Sequence, residues 1–413
     1  MHTTDTIIVG AGQAGLAMSR CLTERAVDHV VLERGRLAER WRSESWDSLR
    51  LLSPNWMTRL PGWSYDGADP DGYMTAAELI AYFERYALAS DAPVEERTTV
   101  ESVRSDGSGY TVITGGGTWT ARNVVIATGW CDRPLTPSFA TRLPSAVHQL
   151  VPSRYRNPSD LPGGGVLVVG ASATGVQLAD ELRRAGRDVT LAVGRHTRLP
   201  RRYRGMDVLW WLERMGSFDD TIDELRDPMR ARLAPSMQLA GRSDGRSLDL
   251  PTLLAAGVRL TGRVTGADGA RLQLSADLTA TASTADARMR DLLADIDRHI
   301  DRHGLGAEVL DPDPPAALRA DVAVDQLDLV RAGVGTVIWA TGHRRTYPWL
   351  DVPVLDEHGE IRQRRGVTPA AGLYVLGQRF QHFRNSNFID GVGRDAAFVA
   401  DHLARRLATV SGR

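Results

Sequence analysis

The sequence predicts an α/β fold built on two strand–glycine turn–helix–strand units, and three observations predict it. The stretches GAGQAG (Gly10–Gly15) and GASATG (Gly170–Gly175) share one pattern. Each follows an apolar strand and opens a helix. Each is answered downstream by an apolar strand ending in Ala-Thr-Gly, at Ala127, Thr128 and Gly129 for the first and at Ala340, Thr341 and Gly342 for the second. This combination predicts a pair of Rossmann-like dinucleotide-binding units.

In the first unit, TDTIIV gives a strand over 6–9, GAGQAG a turn, and QAGLAMSRCLT a helix over 13–23. The strand VDHVVLE then ends at Glu33. Gly10 permits the tight turn, Gly12 lets a pyrophosphate approach the backbone, and Gly15 lets helix and strand pack closely. The helix start at Gln13 and Ala14 offers free N–H groups and a positive dipole end to phosphate. Glu33 stands where a carboxylate accepts hydrogen bonds from a ribose diol, with Arg34 beside it. An unphosphorylated adenosine ribose, as in FAD, suits this acidic strand end.

The second unit, GGVLVVGASATGVQLADELRRAGRDVTLAVGR, repeats strand, turn and helix, with Ser172 in the middle glycine position and Thr174 ahead of Gly175. Its second strand ends without an acid. Arg195 and His196 follow, with Arg198, Arg201, Arg202 and Arg204 behind them. Arginine attracts a 2′-phosphate and bonds it bidentately. This unit is therefore expected to prefer NADPH.

Further along, DGSGYTVITGGGTWTARNVV predicts a hairpin turning near 115–117. ADARMRDLLADIDRHIDRHG carries an apolar stripe at Met289, Leu292, Leu293, Ile296 and Ile300, which predicts an amphipathic helix. NPSDLPGGG is a Pro/Gly-rich connection leading into the second unit.

Composition narrows the chemistry. With 50 basic against 51 acidic side chains the net charge is −1, which gives no general attraction to nucleic acid or anionic lipid. All 50 basic residues are arginine, so Schiff-base chemistry and a P-loop lysine are excluded. Cys21 and Cys131 form no C-x-x-C motif, which excludes a dithiol pair and a cysteine zinc cluster. The scattered histidines have no metal-ligand spacing. No apolar run reaches the roughly 20 residues of a membrane span, and MHTTD shows no signal-peptide pattern. A cytoplasmic protein that binds neither nucleic acid nor membrane is expected.

Taken in order, the two units resemble the two-dinucleotide-binding-domain flavoproteins over most of the chain. The resemblance implies an NADPH domain inserted into an FAD domain. Residues 1–157 are then the first part of the FAD domain, and 158–345 the NADPH domain with a helical insertion at about 209–330. Residues 346–413 supply the return strand GLYVLGQ, which brings Gly377 to the cofactor, and a final helix starting near Gly391 against the flavin.

Within that group the chain resembles the class B flavin-dependent monooxygenases. ERWRSESWDSLRLLSPNWMTRLPG (39–62) places Trp41 and Trp46 after the ribose strand, and LPSAVHQLVPSRYRNP (143–158) matches part of the fingerprint F-x-G-x-x-x-H-x-x-x-[FYW]. His148 fits the fingerprint. Leu143 and Ser145 replace its first two positions, and the aromatic, Tyr155, comes late. The resemblance implies formation of a C4a-(hydro)peroxyflavin from O2 and transfer of one oxygen atom to nitrogen, sulfur or a carbonyl of a small substrate. It also implies Asn55 or Asn387 as a donor to the peroxide and His148 as a further catalytic candidate. Two alternatives stay open: an NADPH-dependent flavin reductase that passes electrons to a partner or to O2, and a nucleotide-binding redox sensor.

Overall fold

The computed structural model describes residues 1–319 and 324–411. Two sheets organise them. The first runs in the order Leu350–Asp351, Val100–Ser105, Tyr110–Thr114, Gly117–Ile126, His2–Val9, His29–Leu32, Val94–Glu95, with Leu373–Val375 also paired to Gly117–Ile126. The part that carries the first glycine turn is parallel: Ile7 sits opposite both Val30 and Val124, and Tyr374 opposite Val125. Ile7 and Ile8 are fully buried because both faces of this parallel part are covered. The helices Gln13–Thr23, Ala76–Ala89 and Val392–Ser411 cover one face. The expected hairpin is formed by Tyr110–Thr114 and Gly117–Ile126.

The second sheet is all parallel, in the order His148–Leu150, Val334–Trp339, Gly165–Val169, Val189–Ala192, Arg259–Thr261. Helix Ala173–Arg184 packs on one face, and a three-stranded antiparallel sheet (Val264–Asp268, Arg271–Leu274, Gln326–Asp328) on the other. Two of the parallel strands lie outside the expected limits. His148–Leu150 precedes residue 158, and Arg259–Thr261 lies inside the stretch expected to be a helical insertion. Strands of three residues carry too little periodicity to show in sequence. The amphipathic helix runs Leu278–His303, burying Met289, Leu293, Ile296 and Ile300 and ending at the left-handed Gly304.

The two sheets are tied at several points. Trp46, from the first half of the chain, is buried in the apolar core of the second sheet with Tyr155 and Val168. The Arg156 guanidinium donates to the carbonyl oxygens of Ser43 and Ser45. On the far side, Asp219, Asp220 and Asp223 pair with Arg394, Arg384 and Arg365. Among the described residues, no helix is long and apolar enough to cross a membrane.

Candidate functional site

The first glycine turn shows why each glycine is there. Gly10 has φ +106°, and a Cβ on it would lie 2.8 Å from the Ala127 carbonyl oxygen. A Cβ on Gly15 would lie 1.8 Å from the Gly10 oxygen, so the helix start can sit on the turn only without a side chain there. Gly12 is different: a Cβ there meets nothing within 4 Å, so its surface is open. The helix Gln13–Thr23 begins at Gly12 with no side-chain cap, leaving its first N–H groups to an outside acceptor.

Glu33 is 8 % exposed; its carboxylate accepts from the Ala11 N–H at 2.8 Å and the Gly35 N–H at 3.0 Å. Each oxygen keeps a further lone pair for a ribose hydroxyl. These features fit a dinucleotide whose adenosine ribose carries no phosphate.

A cleft of about 520 Å3 runs from this turn. Gly10, Gly12, Gln13, Ala14, Glu33, Arg34, Trp41, Trp46, Ala127, Thr128, Gly129 and Gly377 all line it. It reaches the second glycine turn at Ala173, Thr174 and Gln177. One cleft therefore touches both turns. A Cβ on Gly377 would lie 2.8 Å from the Ala14 side chain, which seats the return strand against the first helix. Gln13 Nε2 donates to the Asn387 backbone oxygen at 3.5 Å, which brings Asn387 beside the same helix start. Gly391 stands immediately before the final helix and packs on Asn385.

The second turn has the same build. Gly170 has φ +113° and presses on the Ala340 oxygen, and Gly175 presses on the Gly170 oxygen. Ser172 is the N-cap of Ala173–Arg184 but makes no side-chain cap bond, so this helix start is also open. Thr341 donates through its hydroxyl to the Leu135 carbonyl, fixing the strand that ends at Ala340–Gly342. Arg195 is exposed just beyond Val189–Ala192. Arg263, also exposed, runs past it: a Cβ on Gly194 would lie 3.8 Å from Arg263 Cδ. Arg263 was not legible as a partner because it comes from the connection after the neighbouring strand Arg259–Thr261, far along the chain.

Several expectations are corrected. His196 is 3 % exposed and its Nδ1 donates to the Gly194 carbonyl at 2.9 Å. Burial pushes its pKa down, so the ring is neutral and Nε2 is an acceptor, unfit for phosphate. Arg198 is buried between Asp249 and Asp286, both at 2.6 Å. Arg201 is buried against Asp207 and the Leu52 carbonyl, and Arg204 pairs with Asp297. None of these three guanidiniums is free for a nucleotide.

Asn55 is 5 % exposed; its Nδ2 donates to the Asp69 carbonyl and its Oδ1 accepts from the Met74 N–H, both at 2.8 Å. It clasps a loop and does not line the cleft. His148 is exposed on an edge strand, paired with Thr336, and is also outside the cleft.

Trp130 and His343, directly after the two Ala-Thr-Gly strand ends, line the cleft too, and residues that the motifs did not reveal complete it: Arg40, Arg50, Cys131, Asp132 and Thr346. Asp132 accepts from the Thr346 backbone and hydroxyl at 3.1 and 2.6 Å. Burial pushes the Cys131 thiol up to about 12 and the His343 imidazole down.

Comparison with known proteins follows this geometry. A family model described as pyridine nucleotide-disulphide oxidoreductase matches residues 7–213. An uncharacterized CzcO-like oxidoreductase of Geobacillus kaustophilus is 31% identical over 405 residues, covering 97% of this chain and 99% of that protein. Indole-3-pyruvate monooxygenase YUCCA1 of Oryza sativa is 33% identical over 207 residues, 49% of this chain and 51% of its own. Among solved structures, a flavin-containing monooxygenase from Stenotrophomonas maltophilia shares the fold with TM-score 0.67 at 20% identity, covering 98% of this chain and 100% of its own. The bacillithiol disulfide reductase Bdr of Staphylococcus aureus does so with TM-score 0.61 at 13% identity, covering 98% and 99%.

Proposed function

Because the chain belongs to the pyridine nucleotide-disulphide oxidoreductase family, with class B flavin monooxygenases among its relatives, we propose that it is an NADPH-dependent FAD monooxygenase acting on a small organic substrate. One oxygen atom of O2 goes to the substrate and the other leaves as water, the two electrons coming from NADPH. The observation that carries this reading is the single cleft reaching two uncapped helix starts, with Glu33 at one strand end and Arg195 and Arg263 at the other.

FAD would be held by Gly10–Gly15, Glu33 and Gly377. NADPH would be held by the turn at Gly170–Gly175 with its 2′-phosphate on Arg195 and Arg263. Bound flavin supplies hydride acceptance and oxygen activation. The chain's own part is to orient both dinucleotides and to shed water from the cleft, where fixed dipoles act more strongly. As the candidate donor we retain Asn387, whose backbone carbonyl accepts from Gln13 beside the first helix start, although its side chain is not among those lining the cleft. Dithiol chemistry is disfavoured: Cys21 is on the buried face of the first helix, while Cys131 is a separate free thiol in the cleft.

The test is to load the protein with FAD, reduce it anaerobically with NADPH and separately with NADH, and mix it with O2. A monooxygenase delays return of the oxidised flavin spectrum and yields oxygenated product when a substrate is present. Immediate reoxidation with stoichiometric hydrogen peroxide supports the reductase alternative instead. Arg195→Glu and Arg263→Ala are each expected to cut the preference for NADPH over NADH about 10-fold or more, the worth of one charge-assisted hydrogen bond. An unchanged preference in both variants removes these arginines from the site.

A further inference from the structure

On one wall of the cleft the connections leaving the two sheets meet, Arg133–Pro134 pairing with His343–Arg344. Trp130 lies here, its ring edge-on to His343 at 6.4 Å. The Arg379 guanidinium lies over the Trp130 indole, 5.1 Å from the ring centroid, and donates to the Ala234 carbonyl at 2.5 Å. Arg232, from the short helix Pro228–Arg232, donates in return to the Phe380 carbonyl at 3.3 Å.

Both guanidiniums are half-buried, and among the described residues neither forms an ion pair. The nearby carboxylates are engaged elsewhere: Glu360 by Arg345, Asp132 by Thr346, and Glu44 by Arg40 at 3.5 Å. Burial pushes both guanidinium pKa values down, with the charge of Arg345 adding to the effect. Withdrawing a cation from water without a counter-ion costs several kcal/mol. An arginine stacked on an aromatic face keeps its planar fork ready for a carboxylate.

We propose that Arg232 and Arg379, which sit behind the cleft lining with Arg379 stacked on the lining residue Trp130, form an anion-binding site that takes the carboxylate of an acidic small-molecule substrate. This rests on the monooxygenase reading above. The dinucleotide pyrophosphates have their own partners at the two open helix starts, so the anion here is a third one, at the carboxyl ends of the strands that carry both Ala-Thr-Gly turns.

The test is isothermal titration of the FAD-loaded protein with phenylacetate and with its neutral amide, phenylacetamide, alongside NADP+. The acid is expected to bind at least 10-fold more tightly than the amide. Arg379→Gln and Arg232→Gln should each lose about 10-fold for the acid and little for the amide, and Arg379→Lys should recover part of the loss. In thermal melting, the acid should raise the midpoint of the wild type more than that of either Gln variant. Equal binding of acid and amide, or no binding of the acid, overturns the proposal. Loss of NADP+ binding with acid binding intact also overturns it, by assigning the arginines to a cofactor phosphate. FAD uptake and reduction by NADPH, measured on the same samples, report separately on the monooxygenase reading.

Discussion

Replacing Gly12 and Gly15 separately by alanine should divide ligand binding from folding. At Gly12 the backbone is extended, with φ −88° and ψ −170°, so alanine is tolerated. A Cβ there touches nothing within 4 Å. The apo protein then loses only N-cap preference, about 1 kcal/mol or less, a shift of at most a few degrees in Tm for a chain of this size. The new methyl group stands where a pyrophosphate must meet the free N–H groups. Losing one charge-assisted hydrogen bond costs about 1.5–3 kcal/mol, so FAD should bind roughly 10- to 150-fold more weakly.

At Gly15 the same methyl would sit 1.8 Å from the Gly10 oxygen and 3.0 Å from its carbon. Both atoms are backbone, so turn and helix must part, at a cost of about 1–3 kcal/mol or more. Apo stability should fall along with FAD affinity. Thermal melting of the apo proteins and quenching of flavin fluorescence read the two effects. A Gly12→Ala variant that binds FAD as the wild type does, or that melts as early as Gly15→Ala, would refute the reasoning.

Two further outcomes follow from buried charges. Arg198→Ala strands Asp249 and Asp286 in the interior and should cost about 3–5 kcal/mol in chemical unfolding; a loss of NADPH preference at unchanged stability would return Arg198 to the nucleotide site. Asp395 has no exposed side-chain surface, and burial pushes its carboxyl up to about 7. A raised carboxyl contributes stability that is full below its unfolded pKa near 4 and is lost as pH rises through 7, at about 1.4 kcal/mol per pH unit between the two values. The advantage of Asp395→Asn over the wild type should therefore grow from pH 5 to pH 7 in urea unfolding; parallel pH profiles would count against it.

What the sequence made legible were the places where local geometry dictates the residue. Gly10, Gly15, Gly170 and Gly175 are forced by backbone contacts within one turn and its own sheet, and the stripe at Met289, Leu293, Ile296 and Ile300 is a property of one helix. The misreadings came where a side chain's partner is remote. Arg198 read as part of a phosphate-attracting run, but the carboxylates that claim it, Asp249 and Asp286, come from elements far along the chain. Asn55 read as a donor to a reacting oxygen, but the Asp69 carbonyl and the Met74 N–H had already taken its amide. His148 carried a fragment of a motif onto an edge strand that turns it to solvent. Arg379 and Arg232 gave no signal at all, because neither their burial nor their lack of an ion pair among the described residues is written in spacing.

Trp46 belongs to one half of the chain in sequence and to the other in space. Swinging the halves apart would pull its indole out of a packed interior, a loss on the order of 3–5 kcal/mol, and would break the grip of Arg156 on Ser43 and Ser45. That packing opposes a hinge between the halves, and whatever enters the cleft meets walls held in one relative placement by the indole.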